Sequence, residues 1–111
     1  MKSSIAEKVM KEISLPFVYY SWPEGGAPKL PYVVYYFPSM EMEAADNTPW
    51  AGIASLNIEL YTPKRSAADE AKVEKALVNN DLPFTRSETY LSGEHMFEVL
   101  YETEVLTDGT D

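Results

Sequence analysis

The sequence predicts an α+β domain, a mainly antiparallel sheet of about five strands with two helices packed on one face. Two observations support this class. Residues 52–61 alternate between apolar and polar side chains, which is the period of a strand with one buried face. Residues 66–80 place apolar side chains at helical spacing, with charged residues between them. The predicted order of elements is α-β-β-β-α-β-β.

The first half of the chain predicts one helix and two strands. Ile5, Val9 and Ile13 are spaced by four, which indicates an amphipathic helix. Residues 17–22 and 31–37 are rich in aromatic and β-branched side chains, and we expect them to form an antiparallel hairpin with a long loop. The second strand does not alternate. We therefore expect both of its faces to be covered, by the helices or by a neighbouring subunit.

A sharp corner separates the alternating strand from the second helix. Pro63 cannot donate to the sheet, so it ends the strand. Ser66 is a predicted N-cap with Asp69 three residues later. Residues 79–81 (Asn-Asn-Asp) predict the end of the helix.

The last part of the chain predicts a second hairpin. Residues 84–91 have mixed polarity, as expected near a sheet edge, and a turn follows at residues 92–94. Residues 96–105 alternate again. Residues 1–106 are predicted to form a single domain, and residues 107–111 a flexible tail. The predicted last strand has an acidic face formed by Glu98, Glu102 and Glu104 and an opposite face formed by Phe97, Val99, Tyr101 and Val105.

Residues 39–50 form the least regular part of the sequence. Their acidic residues do not match the spacing of a calcium-binding loop, which favours a solvated loop. Met40, Met42 and Trp50 in this loop are large and apolar. Such side chains either anchor a partner or cover the core, and both interpretations stay open.

Composition excludes several functional classes. The chain has 111 residues, enough for one domain, and 18 acids against nine bases give a net charge of −9. This charge disfavours binding to nucleic-acid phosphates and to anionic membranes. The absence of cysteine excludes disulfides and thiolate metal sites. The N-terminal residues lack the apolar run of a signal peptide, so we expect a soluble, cytoplasmically made protein.

No residue pattern indicates catalysis. His95 is the single histidine, lies beside the predicted turn and is expected at the surface. Residues such as Glu102 and Glu104 on one strand face lie roughly 6.5–7 Å apart, a spacing conceivable for a glycosidase pair. A domain of this size offers little cleft for a sugar, so we interpret the acids as a solvated face or the lining of a wet channel. We predict no catalytic, cofactor or metal site and no enzymatic activity.

Several segments together resemble a family of phage proteins. The segments are 31–36 (PYVVYY), 45–47 (ADN), 56–62 (LNIELYT) and 98–102 (EVLYE), with Tyr90 before the last. They resemble the siphophage tail terminator (tail completion) and head–tail joining proteins of phages and prophages of Gram-positive bacteria. The resemblance covers residues 4–105 and is structural rather than catalytic. The chain is shorter than some tail terminators, which leaves another neck position open.

This resemblance implies a structural virion protein. Such a protein forms a ring, commonly a hexamer, that caps the tail tube and joins it to the head connector, assembled in the host cytoplasm. Its partners are copies of itself, the tail tube protein and the connector, and DNA passes without being specifically bound. The alternative is a small acidic prophage-encoded protein-binding module, a regulator or inhibitor. The candidate interface residues are Met40, Met42, Trp50, Asn57, Glu59 and Tyr61, and the candidate acidic lumen residues are Glu98, Glu102 and Glu104.

Overall fold

The computed structural model describes residues 4–43 and 51–107. These residues form two helices and a mixed six-stranded sheet, so the predicted α+β class is confirmed, with one short strand more than expected. No described helix has the length and apolarity needed to cross a membrane. The elements are α1 (Ser4–Ile13), β1 (Phe17–Tyr19), β2 (Tyr32–Tyr36), β3 (Met40–Glu43), β4 (Ala51–Thr62), α2 (Ala67–Asn79), β5 (Thr85–Leu91) and β6 (Met96–Thr107).

The long strand β4 is the centre of the sheet. The strand order is β1-β2-β4-β6-β5, and β3 pairs with β4 beyond the end of β2. All these pairings are antiparallel except that of β1 with β2. The predicted mainly antiparallel sheet is therefore confirmed.

The hydrophobic core lies between the two helices and one face of the sheet. The apolar side chains of β4 that the alternation predicted to be buried are fully buried there. Asn80 joins the helices, since its side chain accepts from Lys8 Nζ and donates to Glu12. The core residues of the helices are Ala6, Val9, Met10 and Ile13 of α1 and Val73, Ala76 and Leu77 of α2; those of β4 are Ala54, Leu56, Ile58 and Leu60.

The expected antiparallel hairpin of the first two strands is wrong, because β1 and β2 run parallel. Ser14 has a positive φ of 65° just after α1, and the chain then enters β1 at the end where β2 also begins, with Val33 N–H donating to Pro16 O. Tyr20, at φ 73°, ends β1 after three residues. Residues 20–31 then return the chain to the start of β2, a connection of the length that parallel neighbours require.

Residues 40–43 are a strand, so the irregular loop expected from residue 39 is wrong for this part. β2 and β3 follow each other along the same edge of β4: Tyr36 lies opposite Asn57, and Met40 lies opposite Ala54. The β2–β3 side has one more residue than β4 between these pairs, which is the geometry of a bulge. Pro38 lies in it, where no N–H is donated to the ladder. Residues 44–50 lie outside the described residues.

The signals at the ends of α2 are confirmed. Ser66 Oγ accepts from the Asp69 N–H at 3.2 Å, as expected of an N-cap. Asn80 caps the C-terminus, and Asp81 follows at φ 57°. β6 continues through Thr107, where the tail was expected to begin, and residues 108–111 lie outside the described part.

Candidate interaction surface

The sheet face opposite the helices, here called the open face, brings together two sets of residues that the sequence identified separately. Tyr61 of β4 lies directly opposite Glu98 of β6, and Asn57 lies opposite Glu102. Directly opposed residues of antiparallel strands project to the same side of the sheet. The candidate interface residues of β4 and the acids of β6 therefore form one surface.

A tyrosine bridges two carboxylates at the end of this face where β4 ends, here called the upper part. Tyr61 Oη lies 2.8 Å from Glu98 Oε2 and 3.1 Å from Glu59 Oε1. The hydroxyl has a single hydrogen, so it donates to one carboxylate at a time. When Glu59 or Glu98 binds a proton, that carboxyl supplies the second hydrogen, and both contacts of the Tyr61 oxygen can then be hydrogen bonds.

The electrostatics of the cluster agree with this proton count. Burial, followed by the charge of Glu98, raises the pKa of Glu59 above its ordinary value. Burial and the two neighbouring carboxylates raise the pKa of Tyr61, which keeps its hydroxyl protonated and able to donate. The cluster therefore binds a proton more readily than a solvated glutamate.

The open face carries several acidic side chains. Within residues 4–43 and 51–107, no lysine or arginine forms an ion pair with the open-face acids. Arg65 and Arg86 instead contact acids of α2 and β5 on the helix side. Glu102 and Glu104 are exposed. The protein is thus electrostatically asymmetric, with balanced charges around the helices and an acidic open face.

A polar groove crosses the other end of the open face, here called the lower part, beside Ser55 and Glu104. It has a cavity volume of about 660 Å³. Beside the bulge, Ser39 Oγ donates to Ser55 Oγ at 3.0 Å. This hydrogen bond connects the β2–β3 edge to β4. The groove is lined by Pro38, Ser39, Ser55, Asn57, Pro83, Phe84, Thr85, Glu102, Thr103 and Glu104.

The loop after β1 contributes aromatic residues to the upper part of the open face. Trp22 packs edge-on against Tyr32 with ring centroids 5.6 Å apart, and Tyr32 lies 5.4 Å from Tyr61. Trp22 and Tyr32 line a smaller groove together with Val34, which is only 7% exposed. Both faces of the central part of β2 are therefore shielded within the chain, one by the core and the other with the help of this loop.

The candidate interface residues do not form one patch. Asn57 is buried and donates to Tyr36 Oη at 3.3 Å, so it supports the open face more than it projects from it. Met40 is 42% exposed but lies opposite the core residue Ala54, on the other side of the sheet. Met42 pairs through its backbone with Gly52. Trp50 lies outside the described residues.

Two further features of the described residues concern a metal site and the position of His95. No three His, Asp or Glu residues among them are arranged to bind a metal ion. His95 is exposed in the β5–β6 turn at φ 52°, where the sequence placed it at the surface.

Sequence reasoning did not identify Trp22, Tyr32, Ser39 or Thr85 as part of this surface. The density of tyrosine and tryptophan around residues 17–37 was the available signal for the first two, because half-buried aromatic residues favour contact surfaces. Ser39 and Thr85 had no such signal, since only the sheet pairing brings them to one groove.

Comparison with known proteins adds no relative. No protein-family model matches the chain, and no curated protein matches it in sequence. The class that the fold and surface define is an α+β domain with an acidic, aromatic-edged open sheet face.

Proposed function

We propose that this protein is a structural subunit of a phage neck or tail terminus, forming a ring that caps the tail tube and joins it to the head. The main support is the acidic open face, where Glu98, Glu102 and Glu104 have no cationic partner among the described residues. A ring lined by such faces would repel the DNA backbone, so DNA would slide through without binding. The resemblance of residues 4–105 to neck and tail proteins agrees with this role.

The molecule also offers distinct surfaces for neighbours. A closed ring needs heterologous contacts, in which two different patches of one subunit meet. The aromatic cluster around Tyr19 and Tyr20, which are 46% and 70% exposed, is one patch that could meet a neighbour while the open face lines the lumen. A hexameric ring, contacts with the tail tube protein and head connector, and a place in the virion follow from the same proposal.

Deletion of the gene in a phage that encodes it tests the role. We expect tails of abnormal length and heads without joined tails, visible by electron microscopy. Complementation with the wild-type gene should restore infectious particles. Normal-length tails joined to heads in the deletion mutant would contradict the proposal.

Charge variants test the lumen. Complementation with Glu102→Gln/Glu104→Gln should permit assembly but reduce DNA passage, measured as fewer infectious units per joined particle. The matched control is Glu24→Gln/Asp81→Asn, which removes two exposed charges away from the polar groove; Asn tolerates the left-handed backbone of Asp81. Equal infectivity of the two variants would argue against an acidic lumen.

The alternative function is a small acidic protein-binding module encoded by a prophage. The specific observation in its favour is the same unpaired acidic face, which also fits a basic protein partner. A deletion mutant with normal virions, together with salt-sensitive binding of a basic host protein that Glu102→Gln/Glu104→Gln weakens, would favour this alternative.

A further inference from the structure

β5 is an edge strand that no described strand covers on its outer side. It pairs with β6 along Thr85–Leu91, and no other described strand pairs with it. Residues 85–90 are all exposed, although Arg86 and Glu88 form ion pairs on the helix side. Edge strands are normally protected by proline, charged side chains or a bulge. β5 has no proline, lysine or bulge, and its two charges, Arg86 and Glu88, have opposite signs and therefore do not repel an antiparallel second copy.

The sequence of this edge is complementary to itself. Residues 84–90 read Phe-Thr-Arg-Ser-Glu-Thr-Tyr, which is chemically palindromic about Ser87. Two copies paired antiparallel about Ser87 place Arg86 of each opposite Glu88 of the other. The same register places Thr85 opposite Thr89 and Phe84 opposite Tyr90. Opposed charges, threonines and aromatic residues are all favourable cross-strand pairs.

Neighbouring registers with the same two-fold symmetry are disfavoured by charge. Centring the pair on Glu88 would place that carboxylate opposite its own copy, and centring it on Arg86 would oppose two guanidinium groups. Like charges directly opposite each other destabilise a strand pair. The edge therefore specifies the register about Ser87.

The charged residues are already ordered on this edge. Within one chain Arg86 Nη2 lies 2.5 Å from Glu88 Oε1, and Glu88 Oε2 lies 2.9 Å from Arg65 Nη1. Arg86 is held further by Glu70 and Glu74 of α2, so both side chains are ordered before a second copy pairs, which reduces the entropy lost on pairing. α2 contacts β5 through the ion pairs of Arg86 with Glu70 and Glu74, and no described strand pairs with the outer edge of β5.

We propose that the free protein forms a two-fold dimer in which β5 pairs antiparallel with β5 of a second copy about Ser87, joining two sheets into one. This contact is isologous, whereas a ring uses heterologous contacts. The dimer is therefore independent of the proposed ring, and either can fail without the other.

A single introduced cysteine tests the register. The natural chain has no cysteine, so Ser87→Cys creates the single thiol. In the proposed pair the two Cα atoms at position 87 lie about 4.5–5.5 Å apart. This distance is within the range of a disulfide. We expect Ser87→Cys to form a covalent dimer under mild oxidation, detected by non-reducing electrophoresis.

Thr89→Cys is the matched control, because residue 89 is also exposed and lies two residues along the same strand face. In the proposed register its copies are displaced by about 13 Å along the strands, too far for a disulfide. Thr89→Cys alone should crosslink at least about tenfold more slowly, whereas an equal mixture of Thr85→Cys and Thr89→Cys should crosslink as a heterodimer.

Equal rates for Ser87→Cys and Thr89→Cys, or no crosslinking of the mixture, would overturn the proposal. Circular dichroism of each variant confirms that it is folded. Sedimentation velocity of the wild-type protein gives an independent readout. A dimer at high concentration is expected, and a strict monomer would overturn the proposal.

Discussion

Tyr61 donates its hydroxyl hydrogen to Glu98 across the β4–β6 pair, at 2.8 Å between Oη and Oε2. The two residues lie directly opposite each other in the register, so this bond joins the two central strands on the open face. The bond fixes the orientation of one open-face carboxylate. It also determines how the face responds to pH, since Glu59 competes for the same hydroxyl.

Glu59→Gln is expected to stabilise the protein at neutral pH. The raised pKa means that the folded state binds the Glu59 proton more tightly than the unfolded state. The carboxyl therefore contributes stability below its ordinary pKa of 4.5, and this contribution is lost as pH rises through the raised folded pKa. The amide of the glutamine variant keeps a donor at every pH. Because the side chain is only half-buried and solvent screens it, we expect a gain of about 0.5 kcal/mol at pH 7.

Urea unfolding at pH 4 and pH 7 measures this effect. The gain should be larger at pH 7 than at pH 4. Glu102→Gln, which removes an exposed acid of the same face outside the Tyr61 cluster, is the control for the loss of one charge. A Glu59→Gln protein with the same stability profile as the wild type would show that the cluster does not retain a proton.

Tyr61→Phe should destabilise the protein. The change removes one oxygen and leaves Glu59 and Glu98 facing each other without a donor between them. Loss of a part-buried hydrogen bond to a carboxylate costs about 1–2 kcal/mol. Tyr32→Phe is the control: the Tyr32 ring packs on the same cluster, and no hydrogen bond of its hydroxyl to a described residue is present. Equal midpoints for the two variants in urea would refute the role of the Tyr61 hydroxyl.

Arg86→Ala should cost more stability than Arg65→Ala. Arg86 contacts the carboxylates of Glu70, Glu74 and Glu88, whereas Arg65 contacts only Glu70 and Glu88. Glu70 is 5% exposed, so losing a cation leaves a buried charge poorly compensated. We expect a loss of about 1–2 kcal/mol for Arg86→Ala after allowing for solvent screening. Chemical denaturation measures both variants, and a larger loss for Arg65→Ala would reverse the assignment.

Asn80→Ala should loosen the contact between the helices. The Asn80 side chain donates to Ala76 O at 2.8 Å and to Glu12, and accepts from Lys8 at 3.0 Å. We expect a loss of about 1 kcal/mol in thermal or urea unfolding. Asn79→Ala, at the exposed neighbouring position, should change stability by less than about 0.5 kcal/mol. Similar losses for both would indicate a general effect of the helix end.

Much of the fold was predictable where the signal is local. The alternation along β4 and β6 identified which side chains face the core, because a strand exposes successive residues on opposite sides whatever its neighbours are. The ends of α2 were predictable because the residues that cap a helix are close to it in sequence. Ser66 bonds to a backbone group three residues away, and the Asn-Asn-Asp segment ends the helix locally.

The errors concern partners that are distant in sequence. The direction of β1 depends on the path of residues 20–31, which turn composition alone does not reveal. β3 forms because β4 extends beyond β2 and offers free backbone groups to Met40–Glu43. The candidate surface was predictable as two sets of polar residues, but not as a single face.

The sequence by itself determined the α+β class, the acidic charge and the assignment of residues to the two faces of β4 and β6, since these follow from composition and from periods of two and 3.6. Only the tertiary structure decided that Tyr61 meets Glu98, that Asn57 is buried beneath the open face and that the loop after β1 helps to shield β2. The reason is that strand register and loop path depend on which backbone groups, distant in sequence, form hydrogen bonds with each other. The local residue pattern does not determine that choice.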